Sequence, residues 1–257
     1  MSLKIKNYLN IKNKRKIICL TAYSKSVAKI LDKQCDLVLV GDSLANVLYG
    51  MKNTHNLSLD TMINHAKAVR QGIKKSLLVV DMPKDSYKKP SQAINNAKLI
   101  IKKTGCDAIK IENNPNNLKI VKSLINSNIN VMGHIGYTPQ FKKKFRVEGK
   151  KLKEQKKLLK HAKDLEKLGV FSIVLECITK NTASLITKNL KIPTIGIGSS
   201  VACDGQILVT DDILGLSGFY PKFIKQYVNL EKIIKRAVTK FVKDVKLKNF
   251  PRNKNSF

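Results

Sequence analysis

Five stretches of this chain end an apolar run on a residue that can carry charge. Leu37 to Val40 runs into Gly41, Asp42 and Ser43. Ser76 to Val80 runs into Asp81. The stretch CDAIKIE carries Lys110 and Glu112, INVMGHIG carries His134, and FSIVLEC carries Glu176. Short apolar runs of this kind read as strands buried on both faces. In α/β proteins ligands gather beyond the carboxyl ends of such strands. One strand-end acid often does no more than cap the next helix. Five successive strands with ionisable ends are different, because charges beside a barrel interior are costly unless paired or bound to a metal.

Acids with few histidines favour a hard cation held through oxygen. Mg2+ fits: it takes one or two carboxylates, keeps waters and leaves room for substrate oxygens. Lys110 supplies the opposite charge. It suits a substrate carboxylate and it can also neutralise Glu112 or Asp81, and both can hold at once. A metal on a 2-keto acid would polarise the keto group and acidify the adjacent C–H, an effect worth several kcal/mol. Glu176 is then a candidate base if burial raises its pKa. His134 is a second candidate, or a donor to the developing enolate. The stretch GIGSS, Gly196 to Ser200, could offer backbone N–H groups to an anion, but so short a glycine pattern is weak evidence. His65 falls inside a helical stretch and reads as packing or solvent-facing. His55 sits in a loop and carries no assignable role.

Positioning these groups on one rim takes a closed sheet. The expected strands are IICLTAY (Ile17 to Tyr23), the Leu37 run, SLLVVDMP (Ser76 to Pro83), CDAIKIE, INVMGHIG, FSIVLEC, IPTIGIGSS and GQILVTDD (Gly205 to Asp212). Between them lie helical stretches: Ser24 to Gln34 with Ser24 as N-cap, about 58–71 closed by Gly72, Pro90 to Gly105 with proline in the first turn, about 116–126, Leu152 to Leu168, and about 182–189. In CDAIKIE the alternation places Lys110 and Glu112 on one side of the strand. Strand–helix alternation implies parallel strands with right-handed crossovers. Eight such units in 257 residues favour a (β/α)8 TIM barrel over an open sheet. The expected organisation is a single domain over 1–257, with an N-terminal arm or helix at about 1–16 covering one end. A C-terminal helix and tail at about 230–257 would close it, the last ten residues forming a loose end.

The totals exclude other classes. Apolar residues make up 43% of the chain, enough for a core, yet no apolar run is long enough to cross a bilayer and no cleavable leader is evident. The expectation is a cytoplasmic protein without a membrane partner. Five scattered cysteines without a CxxC pattern argue against a disulfide framework or a zinc site. The formal charge of +31 is the odd feature. Only Arg15, Arg70, Arg146, Arg236 and Arg252 are arginine; the remaining basic residues are lysines spread along the whole chain, and aromatics are only 6%. A nucleic-acid site would gather charge and aromatics into a patch, so no nucleic-acid partner is expected.

The stretches LTAY, LVGDSL, DMP…SY, IKIE, VMGHIGYTPQ, VLEC, IPTIGIG, DGQILV and PKF together resemble, in this order, the ketopantoate hydroxymethyltransferases. The resemblance runs from about Leu20 to the C-terminus. It implies a barrel of the phosphoenolpyruvate/pyruvate type. It also implies transfer of a one-carbon unit from 5,10-methylenetetrahydrofolate to 3-methyl-2-oxobutanoate, giving 2-dehydropantoate for pantothenate synthesis. By resemblance Asp42, Asp81 and Glu112 fall on magnesium positions, and Asp42, Ser43, Asp81 and Lys110 on keto-acid contacts. Glu176 falls on the proton acceptor, and His134 stays an assisting group. Small-molecule substrates and a homo-oligomer, often a decamer, are the implied partners.

The chain departs from the family pattern at four places: Ser24 replaces the acid of TAYD, GDSLAN stands for GDSLGM, Glu112–Asn114 reads ENN where EGG is usual, and the 141–146 loop is shortened to a lysine-rich KKKF. None removes a residue with a chemical role. The rival readings are a Mg-dependent lyase or mutase of the same barrel type acting on a 2-keto acid, and a basic nucleic-acid-binding protein on an inactive barrel. The first would carry a reactive cysteine in a flexible loop, which this sequence does not match.

Overall fold

A computed structural model describes residues 2–142, 144–218 and 220–257. Met1, in the expected arm, and Lys143, in the KKKF loop, lie outside the described residues. The strands are β1 (Ile17–Thr21), β2 (Leu37–Val40), β3 (Leu77–Asp81), β4 (Ala108–Glu112), β5 (Val131–Gly136), β6 (Ser172–Glu176), β7 (Thr194–Ile197) and β8 (Gly205–Leu208). They pair in sequence order, all parallel, and β8 returns to β1 with Ile17 opposite Gly205, closing the barrel. The helices are α1 (Leu3–Leu9), α2 (Lys25–Leu31), α3 (Leu44–Val47), α4 (Leu59–Arg70), α5 (Pro90–Thr104), α6 (Leu118–Asn126), α7 (Leu152–Leu168), α8 (Lys180–Asn189), α9 (Thr210–Leu214) and α10 (Leu230–Lys246). Among the described residues, no helix is long and apolar enough to cross a membrane.

The chain divides into two compact units, Met1–Val209 and Thr210–Phe257. The first holds all eight strands. Its core has two layers. The outer one lies between strands and helices, where Val38, Val40, Leu78, Val80, Ile109 and Ile111 meet Ala66, Ala97, Ile100 and Leu124. The inner one fills the barrel with Ile17, Cys19, Leu37, Leu39, Leu77, Val79, Ala108, Met132, Val174, Ile195 and Ile207. The two sets alternate along β2 to β6, as the period of two demands. Helix α1 adds Ile5 and Tyr8 to the inner layer. Tyr8 shares a hydrogen bond with Ser172 at 3.0 Å and meets the Phe171 ring edge-on. Each such buried side chain contributes about 1.5–3 kcal/mol, so α1 is a stopper under the amino ends of the strands.

The second unit, by itself, contains α9 and α10. Asn229 caps α10 by accepting from the Lys232 N–H at 2.9 Å. Phe250 returns edge-on to Phe241, and a 3-10 turn spans Asn253–Asn255, so the tail is less loose than its composition implies.

Element ends differ from the sequence expectation in a regular way. β1 stops at Thr21 and β7 at Ile197, before their polar ends. The GQILVTDD run breaks after Leu208, and Thr210 begins α9 with Asp211 and Asp212 in its first turn. Acids favour a helix N-terminus, where the unpaired N–H groups lie. Gly105 ends α5 at φ +63, as a helix-closing glycine should. A four-residue helix, α3, occupies what reads as loop after Ser43.

Candidate active site

The same alternation that fills the barrel with Leu77 and Val79 brings Asp81 to the next inward position of β3. It brings Lys110 and Glu112 inward after Ala108 on β4, His134 after Met132 on β5, and Glu176 after Val174 on β6. The polar residues are the top layers of one stack whose lower layers are apolar. Asp42 arrives differently. Gly41 places no side chain against Asp81, and the turn after it aims the Asp42 N–H at Asp81 Oδ2, 3.0 Å away.

The pairing of β3 with β4 sets Asp81 opposite Lys110. Lys110 Nζ donates to Asp81 Oδ1 at 2.7 Å, with both side chains sealed from solvent. Burial works against the Lys110 charge, but Asp81 and Asp42 more than offset it, and its pKa is raised. Burial and the Asp42 charge push Asp81 upward against the pull of Lys110. Both Asp81 oxygens accept hydrogen bonds, so the site is built for its carboxylate form. Glu112, opposite His134 in register, is pushed well above the usual carboxylate range by burial and then by Asp42.

The His134 ring bridges to the next strand. Its Nε2 is 3.2 Å from Glu176 Oε2 and its Nδ1 is 3.9 Å from Glu112 Oε1. Neither nitrogen has a partner in hydrogen-bonding geometry. Gly136, opposite Glu176, lets the backbones at the ends of β5 and β6 come close. At φ +102 it adopts a conformation L side chains avoid, and a Cβ there would collide with the Glu176 carbonyl oxygen. Glu176 keeps a fifth of its side chain exposed, so it faces the opening while its neighbours are sealed.

Ser43 heads α3, and its hydroxyl shares a hydrogen bond with Tyr23 at 2.8 Å. Sequence reading passed over Tyr23, and two more: Gln140 donates from its side chain to Asp42 Oδ2 and from its backbone to Glu112 Oε2, both at 2.9 Å, while Tyr87 donates to Gln140 Oε1 at 2.5 Å. A search for ionisable strand ends does not register an amide or a phenol in a loop. The stretches TPQ and SY were their only trace.

Asp42, Asp81, Lys110, Glu112, His134 and Glu176 therefore share one rim, with Ser43 beside Tyr23. Across it, Lys110 is the one ammonium among the described residues set against four carboxylates. Surplus negative charge, oxygen donors and buried acids held above their usual range suit a hard divalent cation. Among the described residues, no three of the His, Cys, Asp and Glu side chains form a ready-made metal cage. Asp42, Asp81 and Glu112, the expected magnesium positions, lie on the same rim, and Gln140 links Asp42 and Glu112 through one oxygen of each.

The remaining candidates are structural. His65 bonds to the Tyr23 carbonyl oxygen and the Tyr49 hydroxyl. In GIGSS, Ser199 donates to the Ile178 carbonyl, Ser200 accepts from the Ala202 N–H, and Gly198 makes a left-handed turn. The five cysteines are free and buried, and burial pushes Cys106 up to about 11 and Cys177 up to about 12, far from reactive thiolates.

The family departures are absorbed locally. Ser24 still caps α2, accepting from Val27 N–H. Asn46 donates to Met51 O. Asn113 accepts from the His134 N–H, and Asn114 caps the 3-10 turn Pro115–Asn117, whose Asn117 donates to Glu112 O. Lys142 and Arg146 both bind Glu148.

Comparison with known proteins identifies relatives of the whole chain and of the fold. A family model described as ketopantoate hydroxymethyltransferase matches residues 2–253. A 3-methyl-2-oxobutanoate hydroxymethyltransferase of Pelagibacter ubique (strain HTCC1062) is 53% identical over 257 residues, covering 100% of both chains. One from Thermosipho africanus (strain TCF52B) is 47% identical, covering 98% of this chain and 97% of its own. Among solved structures, a phosphonopyruvate hydrolase in complex with oxalate and Mg++ superposes with a TM-score of 0.63 at 12% identity, covering 99% of this chain and 93% of that one. A 2,3-dimethylmalate lyase of the PEP mutase/isocitrate lyase superfamily gives 0.60 at 13%, over 81% and 80%. These two share the barrel fold. With sequence relatives matched end to end, the chain belongs to the ketopantoate hydroxymethyltransferase family.

Proposed function

We propose that this protein is a 3-methyl-2-oxobutanoate hydroxymethyltransferase that takes its one-carbon unit from 5,10-methylenetetrahydrofolate and releases 2-dehydropantoate and tetrahydrofolate. The observation that carries the reading is the rim itself: a Lys110–Asp81 pair beside Asp42, with Glu176 on β6, in a chain whose end-to-end relatives bear that enzyme name.

In this reading Lys110 and Ser43 donate to the keto acid's oxygens, and Asp42 and Asp81 line the same keto-acid contact. Asp42, Asp81 and Glu112 would hold Mg2+, which when bound would supply Lewis-acid polarisation of the keto group. The Glu176 carboxylate takes the proton from the carbon next to the keto group. That carbon then bonds to the one-carbon unit in a step that consumes one water. Both methylene carbon–nitrogen bonds of the folate break, and the water oxygen stays as the new hydroxyl. The protons from water and from Glu176 go to that hydroxyl and to the two folate nitrogens, so that tetrahydrofolate leaves. His134, 3.2 Å from Glu176, stabilises the charge that Glu176 loses and regains. A cytoplasmic homo-oligomer, a decamer, belongs to the same reading.

The test is to incubate the purified chain with 3-methyl-2-oxobutanoate, Mg2+ and 5,10-methylenetetrahydrofolate. Formation of 2-dehydropantoate dependent on all three is expected. Cleavage of a 2-keto acid without folate would point instead to a lyase of the same barrel type and overturn the proposal.

A further inference from the structure

We propose that Gln140 is a positioning residue: its backbone and side-chain N–H groups hold the Glu112 and Asp42 carboxylates in one fixed relation, with Tyr87 setting which way its amide faces. The inference rests on the reading of this rim as a divalent-cation and keto-acid site.

Gln140 lies in the loop after β5 yet is only 2% exposed. Its backbone N–H donates to Glu112 Oε2, and its Nε2 donates to Asp42 Oδ2 and to the Met82 carbonyl oxygen at 3.2 Å. Its Oε1 accepts from Tyr87. The amide orientation is settled by chemistry. A backbone carbonyl only accepts, so the NH2 must face Met82 and Asp42, leaving the oxygen for the phenol. Both amide hydrogens and the amide oxygen are used.

Few side chains could do this. A glutamate would add another carboxylate beside Asp42, and a methionine would fill the space without donors. Asp42 and Glu112 repel each other in a buried setting, and repulsion between them is part of what raises Glu112. An N–H aimed at one oxygen of each carboxylate offsets that repulsion and leaves Glu112 Oε1 and Asp42 Oδ1 for a ligand.

The loop is pinned independently one residue earlier. His55 Nε2 lies 2.9 Å from Pro139 O, and Lys84 Nζ 3.1 Å from His55 Nδ1. An ammonium only donates, so Nδ1 accepts and Nε2 carries the proton given to Pro139. His55 thus has a place: it anchors the backbone that presents Gln140.

The test uses the full chain with Gln140→Met, Gln140→Glu and Tyr87→Phe. Mg2+ binding is followed by calorimetry with 3-methyl-2-oxobutanoate present, alongside thermal melting and separate kcat and KM values. Gln140→Met is expected to weaken Mg2+ binding roughly 10- to 100-fold, as lost ligand-orienting partners do, and to raise KM for the keto acid. Gln140→Glu should be worse despite its matching shape, and Tyr87→Phe milder in the same direction with melting unchanged. A purely space-filling Gln140 would make the glutamate the better tolerated variant, and that ranking overturns the inference. So does wild-type Mg2+ affinity in folded Tyr87→Phe together with wild-type affinity in either Gln140 variant. Should Gln140→Met fail to fold, unchanged affinity in Tyr87→Phe decides against the inference by itself. If the wild-type chain binds neither Mg2+ nor the keto acid, the reading of the rim fails, a result separable from the others.

Discussion

His134 Nε2 lies 3.2 Å from Glu176 Oε2, and the same ring turns Nδ1 toward Glu112. One imidazole thus stands between a sealed carboxylate and one that faces the opening. Replacing Glu176 by Gln keeps the size and removes the acceptor. Turnover should fall by roughly a hundredfold or more, while calorimetric binding of 3-methyl-2-oxobutanoate survives. Normal turnover in Glu176→Gln would remove it as the base.

Lys110 and Asp81 form a buried pair, and removing one member strands the other. Lys110→Met should cost about 3–5 kcal/mol of stability, read from denaturant unfolding, because Asp81 is left beside Asp42 without a cation. Keto-acid affinity should fall as well. If stability is unchanged, the pair is not the structural tie it is taken for.

Asp81 has a second test that leaves the lysine in place. Asp81→Ala should weaken Mg2+ binding, measured by calorimetric titration with the keto acid present. An unaltered affinity would assign the cation to other residues.

His161 on α7 is buried, its Nε2 has no partner, and burial, with a smaller push from Lys157 against Asp164, lowers its pKa to about 4. The unfolded chain takes up this proton near pH 6.5 and the folded chain only near 4. Folding stability is therefore intact above pH 6.5 and drains as pH falls toward 4, by about 3 kcal/mol at most. Denaturant midpoints across that window should show the slope in wild type and a shallower one in His161→Leu. Equal slopes would mean that other groups carry the acid sensitivity.

Much of the barrel is readable from local pattern. The strands of the first unit appear where the apolar runs lie, and α7 covers the expected residues. The shared direction of Lys110 and Glu112 follows from alternation alone. What fails is the ends: VTDD continues an apolar run on paper, yet begins a helix, because Asp211 and Asp212 fit a helix start. His55 and Gln140 were opaque for another reason. Both sit in loops, where no period marks which way a side chain points, and each takes its meaning from a partner far away in the chain.

The sequence alone determined which residues could face inward, because backbone geometry alternates side chains whatever the strand later meets. The tertiary structure alone decided whom they meet. Parallel register set Lys110 against Asp81 rather than Glu112, the pairing of β5 with β6 carried His134 to Glu176, and a loop brought Gln140 onto two acids distant from it in the chain. Register and loop path depend on packing summed over the whole molecule, and no local stretch of residues contains that sum.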